Sequence, residues 1–279
     1  MSLLRPRMPG RFSDRHQVKV LLRRCGLHTV CEEARCPNIA HCFGRATATF
    51  LIMGDRCTRN CAFCAIEHGP PRPLDPQEPS RVAQAASALG LRHVVVTSVT
   101  RDDLADGGAE HFRKTVLALR HICPEATVEV LVPDFAGNSH SLDLVLDSAP
   151  DVFNHNLETV PRLYRTVRPG AEYRRSLAVL ERAAARGRCL TKSGLMVGLG
   201  EKEQEVLEVF SDLKEVGCRL VTVGQYLQPR KNKLQPAMLV GEDVFNRLRQ
   251  AGGEMGLQVV AGPLVRSSWH AEEIFTMAK

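Results

Sequence analysis

Ala48-Thr-Phe-Leu-Ile-Met-Gly54, followed two residues later by Cys57-Thr-Arg-Asn-Cys61-Ala-Phe-Cys64, is the stretch on which the reading of this chain turns. Its first half is short and apolar, which fits a buried strand. Its second half is polar, and Gly54 and Asn60 mark it as irregular. A loop with three thiols therefore starts where a strand ends. The C-x3-C-x2-C spacing lets three thiolates hold three irons of a 4Fe-4S cube and leaves the fourth iron open to chemistry. Zinc is the alternative; it normally wants paired C-x2-C elements or a completing histidine, and His41 and His68 are the fillers at hand.

Outward from this loop, the cysteines remain the informative residues. Six of the ten, Cys31, Cys36, Cys42, Cys57, Cys61 and Cys64, fall within residues 31–64, while Cys25, Cys123, Cys189 and Cys218 are scattered and read as small buried hydrophobes. The first trio, Cys31-Glu-Glu-Ala-Arg-Cys36-Pro-Asn-Ile-Ala-His-Cys42, has C-x4-C-x5-C spacing and is also one ligand short. Its plain alternative is a short helix whose cysteines face the core. Residues 1–15 carry four arginines and one acid, Asp14, without the apolar core of a secretory signal. Ten cysteines with no export signal point away from disulfides and toward metal or redox chemistry. The expectation is a cytoplasmic protein with a basic arm packed on its domain; a transit peptide, and with it the mitochondrial matrix, is the alternative.

Composition sets the outer bounds. A chain of 279 residues, 44% hydrophobic and 24% charged, has room for one large α/β domain or two small ones. No segment reaches the ~18 uninterrupted apolar residues of a membrane helix, so no membrane partner is expected. The net charge of +6 favours acidic partners. The charges are spread, and three Tyr and one Trp give few surfaces for base stacking, so nucleic acid is not expected either.

After the cysteine loop, apolar runs at 93–99, 127–132, 151–156, 195–198 and 220–226 alternate with helical patterns such as 176–185 and 203–215. Such alternation predicts a parallel sheet with right-handed crossovers, either open or rolled into a closed or partial barrel. In such folds sites form at the C-terminal ends of strands. Asn156 and Glu158 end one run, and Asp102 and Asp103 follow another; strand-end turn chemistry explains them equally. Ser268, after an apolar run and before Ala271-Glu-Glu273, reads first as a helix N-cap.

The Cys57 loop resembles that of the radical S-adenosylmethionine (SAM) enzymes. Beyond it, Leu27-His-Thr-Val-Cys-Glu-Glu-Ala-Arg-Cys-Pro-Asn38, Ala46-Thr-Ala-Thr-Phe50, Thr97-Ser-Val-Thr-Arg-Asp-Asp-Leu-Ala-Asp-Gly-Gly108, Phe153-Asn-His-Asn-Leu-Glu-Thr159, Val167-Arg-Pro-Gly170 and Gly262-Pro-Leu-Val-Arg-Ser-Ser268 resemble the blocks of the lipoyl synthase family over almost the whole chain. The resemblance implies an α/β fold, a partial (β/α)6 TIM-type barrel with N-terminal and C-terminal extensions. Residues 1–45 would carry auxiliary-cluster ligands, 46–256 the barrel, and 257–279 the segment closing the auxiliary cluster.

The resemblance also implies two 4Fe-4S clusters and S-adenosylmethionine. Cys57, Cys61 and Cys64 would hold the cluster that cleaves S-adenosylmethionine. Cys31, Cys36, Cys42 and Ser268 would hold a sacrificial cluster that gives up sulfur. Phe63, Thr97, Asp103, Asn156, Glu158, Arg168 and Gly198 are the implied cofactor contacts, with Gly198 in a Gly194-Leu-Met-Val-Gly-Leu-Gly-Glu201 pattern and a surface role as the alternative for Arg168. The implied reaction inserts sulfur at C6 and C8 of an octanoyl chain on a lipoyl carrier domain or a glycine-cleavage H-type carrier protein. A small-protein electron donor and an iron-sulfur carrier for cluster repair are the further partners implied. Two departures from the family pattern stand out, residues 230–240 and Trp269 in place of tyrosine.

Overall fold

The computed structural model describes residues 15–44 and 48–278. The basic start of the chain, up to Asp14, and Ala46 and Thr47 of the quoted blocks lie outside the described residues. Strand β1 (His28–Thr29) runs antiparallel to β2 (Thr49–Ile52). A short parallel pair follows outside the main sheet, β3 (Arg56–Cys57) and β4 (Glu67–His68). Six more strands complete the sheet: β5 (His93–Ser98), β6 (Thr127–Leu131), β7 (Val152–Asn154), β8 (Leu190–Val197), β9 (Leu220–Gln225) and β10 (Gln258–Gly262). Their order is β1-β2-β5-β6-β7-β8-β9-β10, and every pairing from β2 to β10 is parallel.

The helices are α1 (Arg15–Arg24), α2 (Val30–Glu33), α3 (Ile39–Gly44), α4 (Glu78–Leu89), α5 (Ala109–Ile122), α6 (Ser139–Asp147), α7 (Tyr164–Val167), α8 (Tyr173–Arg186), α9 (Glu203–Glu215), α10 (Glu242–Glu254) and α11 (Ala271–Ala278). Strands β2 and β5 to β9 are each followed by a helix that crosses back over the sheet, which gives the six β/α units of the expected partial barrel. These helices bury one stripe at helical spacing, as Val82, Ala86 and Leu89 of α4 do. Burying a Val or Leu side chain in this way stabilises by about 1.5–3 kcal/mol. Among the described residues no helix is long and apolar enough to cross a membrane.

The segment expected at 257–279 as a C-terminal extension opens as a seventh parallel strand, because Gln258 to Gly262 pair in register with Leu220 to Gly224. It then returns to the lower end of the barrel. Ile274 and Phe275 of α11 cluster with Val152, Leu190 and Leu220, the first residues of β7, β8 and β9. The Phe275 ring meets His93, the first residue of β5, edge to face with centroids 5.8 Å apart.

The strand expected at 195–198 begins earlier, at Leu190. Thr191, Lys192 and Ser193 lack an apolar signature, yet all three are buried. Lys192 Nζ lies 2.8 Å from Glu129 Oε1, with both side chains 1% exposed. Glu129 Oε2 also meets His93 Nε2 at 3.1 Å, and Asn154 Nδ2 donates to its Oε1 at 3.1 Å. Four adjacent strands thus converge on one carboxylate. Burial alone would raise the pKa of Glu129, but Lys192 and His93 hold it down to about 2.

Removing one partner of a buried pair costs about 3–5 kcal/mol, because the other charge stays uncompensated. Glu129→Gln is therefore expected to lower unfolding stability by about 3 kcal/mol. A carboxyl depressed in the folded state contributes stability above its ordinary pKa of 4.5 that disappears as pH falls toward about 2. Denaturant titrations at stepped pH should show that acid slope in the parent and a shallower one in the variant.

Candidate active site

The Cys57–Cys64 loop is held from three sides. Thr58 N–H and Oγ1 both donate to Thr100 O, at 3.1 and 2.9 Å, beyond the end of β5. Ala62 N–H donates to Val167 O at 3.0 Å, and Leu234 N–H donates to Ala62 O at 3.1 Å. At its centre Arg59 donates to both Asp102 oxygens at 2.8 Å and to Asp134 Oδ1 at 2.7 Å. Asp134 also receives Arg175 at 3.2 Å. Burial opposes this charge, but the Arg59 guanidinium holds the Asp134 carboxyl at about 2.

A cavity of about 540 Å³ opens at the C-terminal ends of the strands. Cys57, Cys61, Cys64 and Phe63 line it together with Thr97, Asn156, Glu158 and Arg168. Cys31, Cys36 and Ser268 line its other side. A smaller cavity adjoins it, and there Cys31, Cys36, Cys42 and Ser268 come together beside Trp269. Both trios therefore meet on one barrel mouth. The first trio does sit on short helices, with Cys31 in α2 and Cys42 in α3, and Cys31 is buried.

Two of the expected contacts do not reach the cavity wall. Asp103 is taken by Arg101, whose Nε and Nη2 each donate to it at 2.8 Å. Gly198 has its space filled by the chain itself: an added Cβ would lie 2.2 Å from Gln225 Nε2 and 2.6 Å from Met238 O. Arg168 is buried, not a surface arginine; its Nη1 donates to Asn156 O at 2.8 Å, Leu157 O at 3.2 Å and Tyr164 Oη at 2.9 Å. Ser268 is not the N-cap, since α11 starts three residues later and His270 O accepts from Ile274 N–H.

Residues 226–240, of which 230–240 are atypical on the sequence, form a strap over the cysteine loop. Tyr226 Oη donates to Leu234 O at 2.6 Å, and Lys233 Nζ reaches Asn60 Oδ1 at 3.2 Å. Trp269 stacks on His41, with centroids 5.1 Å apart, so an indole covers the auxiliary segment.

His155, which carried no separate signal inside the quoted Asn-His-Asn block, is the main addition. Its Nδ1 donates to Val132 O at 2.8 Å. Burial, then the nearby Arg168 charge, lower its pKa to about 4, so the ring is neutral. A neutral ring that donates through Nδ1 must present Nε2 as an acceptor. Among the described residues that buried Nε2 has no hydrogen-bond partner, and the residue lines the cavity.

The residues fit a thiolate-bound cluster and a polar ligand. Cys57 Sγ accepts two backbone N–H groups, from Arg59 at 3.4 Å and Thr100 at 3.3 Å, as a cluster-bound sulfur does. Burial pushes the thiols of Cys31 and Cys64 up to about 12 and that of Cys61 up to about 11, so binding a cluster releases their protons. Among the described residues no three His, Cys, Asp or Glu side chains are arranged for a single ion; the thiols ring cavities instead.

Fold and site together define a radical SAM protein, and residues 51–213 match the model of the Radical SAM superfamily. The lipoyl synthase of Caldanaerobacter subterraneus subsp. tengcongensis is 54% identical over 268 residues, 95% of this chain and 94% of that one. The lipoyl synthase of Methylococcus capsulatus is 53% identical over 267 residues, 95% and 83% of the two chains. The chain belongs to the lipoyl synthase family. Solved structures share the fold at low identity: methylornithine synthase at a TM-score of 0.55 and 15% identity, covering 90% of this chain and 83% of that one. HydG, a hydrogenase maturase, matches at 0.56 and 12%, covering 96% and 79%.

The Arg59 anchor is testable in the cluster-free chain. Arg59→Leu leaves Asp134 buried with only Arg175 and is expected to cost about 3 kcal/mol. Alkylation of Cys57, Cys61 and Cys64, followed by mass spectrometry, should be faster than in the parent. Equal alkylation rates would mean that the backbone bonds alone fix the loop.

Proposed function

We propose that Cys57, Cys61 and Cys64 hold the cluster at which S-adenosylmethionine is cleaved, and that Cys31, Cys36, Cys42 and Ser268 hold the cluster that donates sulfur. The protein is a radical SAM sulfurtransferase that inserts two sulfur atoms, at C6 and C8, into an octanoyl chain carried on a lysine of a carrier domain. When bound, the clusters and S-adenosylmethionine supply the electron, the hydrogen-abstracting radical and the sulfur. The observation that carries the residue assignment is the meeting of both trios and Ser268 on two adjoining cavities.

The chain's own groups divide the remaining work. Asn156 and Glu158 offer an amide and a carboxyl to the amino group and ribose hydroxyls of S-adenosylmethionine. Arg168 offers charge to its carboxylate, and Phe63 and Thr97 complete the wall. His155 Nε2 offers a further acceptor. Leu51, Val99, Leu131, Leu195 and Met196 give the same cavity apolar walls that suit an alkyl chain and keep water from it.

The acceptor is an octanoylated carrier, either a lipoyl domain or a glycine-cleavage H-type protein, and the net charge of +6 favours an acidic one. Reducing one cluster and rebuilding the other call for a small-protein electron donor and an iron-sulfur carrier. Ten cysteines with no disulfide among the described residues support a reducing, cytoplasmic setting.

Anaerobic reconstitution of the full chain should load about eight irons, two cubes of four. With reductant, S-adenosylmethionine and an octanoyl-lysine carrier peptide, 5'-deoxyadenosine should appear and the peptide should gain two sulfurs by mass. Cys57→Ala should lose about half the iron and all cofactor cleavage. Ser268→Ala should keep cleavage and lose sulfur transfer. Only one cube in the parent would sink the assignment.

A further inference from the structure

The segment that carries Ser268 starts exposed at Pro263 and Leu264 and then dips against β8 and β9 through Val265 and Ser267. Val265 O presses on β9 so closely that a Cβ on Gly224 would lie 2.1 Å from it. A Cβ on Gly194, in the middle of β8, would lie 2.8 Å from Ser267 Oγ, 2.7 Å from Asn156 Oδ1 and 3.0 Å from Thr222 Oγ1. Both glycines clear a path for residues 263–268, a second strap distinct from the one at 226–240. The glycine of the 194–201 pattern thus makes room for this chain's own residues.

Two side chains hold the strap. Asn38 Nδ2, between Cys36 and Cys42, donates to Leu264 O at 2.8 Å. Ser267 Oγ accepts from Asn156 Nδ2 at 2.8 Å and lies 3.0 Å from its Oδ1. Asn156 Nδ2 also donates to Glu158 Oε1 at 3.0 Å. One hydroxyl therefore joins the strap to the residues on the S-adenosylmethionine side of the cavity. The next residue, Ser268, faces the second trio.

We infer that Ser267 is a positioning residue whose bond to the Asn156 amide fixes the register of residues 263–268 and so holds the Ser268 oxygen against Cys31, Cys36 and Cys42. The inference rests on the proposed cluster assignment. A serine hydroxyl gives up its proton far less readily than a thiol and is a poor ligand for iron beside three thiolates, so that corner depends on how well its oxygen is held. Partners that orient metal ligands typically contribute about 10- to 100-fold in metal affinity. Ser267 also lines the main cavity, so its effect on the second cluster is read with no S-adenosylmethionine or acyl chain present.

The test uses the full chain with Cys57, Cys61 and Cys64 all changed to Ala, reconstituted anaerobically so that it holds the second cluster alone. The readout is the rate of visible bleaching and iron release to EDTA. Ser267→Ala and Asn156→Ala should each release iron about 10- to 100-fold faster than this parent, and the double variant no faster than either alone, because both remove one link. Thr191→Val removes a similar hydroxyl bond, Thr191 Oγ1 to Gly217 O at 2.8 Å, far from the strap, and should keep the parent rate. Ser267→Ala at the parent rate, with Ser268→Ala fast, overturns this inference and leaves the cluster assignment standing. A parent that binds no cluster overturns both.

Discussion

The chemistry of this molecule depends on one guanidinium. Arg59 lies in the middle of the cysteine loop and is shared by Asp102 and Asp134, which follow two different strands of the barrel. A loop of polar residues has no apolar face with which to dock. Two charge-assisted contacts, one to the buried Asp134 and one to the exposed Asp102, replace that docking, and the neighbouring backbone bonds to Thr100 and Val167 then fix where each thiol points. The loop is thereby tied to the strand ends that it bridges, which is what a ligand set needs before any group binds.

The lumen below follows the same logic with opposite spacing. Where the loop has charges at its edge, the barrel floor keeps Glu129, Lys192 and His93 together in the dark, with α11 closing the end beneath them. Such a pair adds little net stability over an apolar substitute of equal volume. It does make wrong registers costly, since a shift of β6 or β8 by one residue would turn a charge into the helix layer.

Much of this was legible in the chain. The alternation of apolar runs gave the parallel order, and the cysteine spacing gave the loop and its three thiols. The first half of β8 was not legible, because Thr191, Lys192 and Ser193 are polar residues whose partners, Gly217, Glu129 on β6 and His155 just after β7, are distant in sequence. Asp103 stood in a quoted block, but a short-range pair with Arg101 removes it from the cavity. Ser268 read as a cap on local grounds; only the resemblance and then the path of the strap led elsewhere. Arg59, His155 and Ser267 carried no spacing signal at all, since each acts through a partner distant in sequence.

The auxiliary cavity draws its donors from the two extremes of the fold, α2 and α3 on one side and the strap before α11 on the other. In an unfolded chain, bringing those positions together would forfeit the entropy of a very long loop. A group bonded to both would hold the extremes as a cross-link does, and its removal would loosen the whole circuit of strands at its seam. An enzyme that consumes such a group would unfasten its own barrel once per turnover.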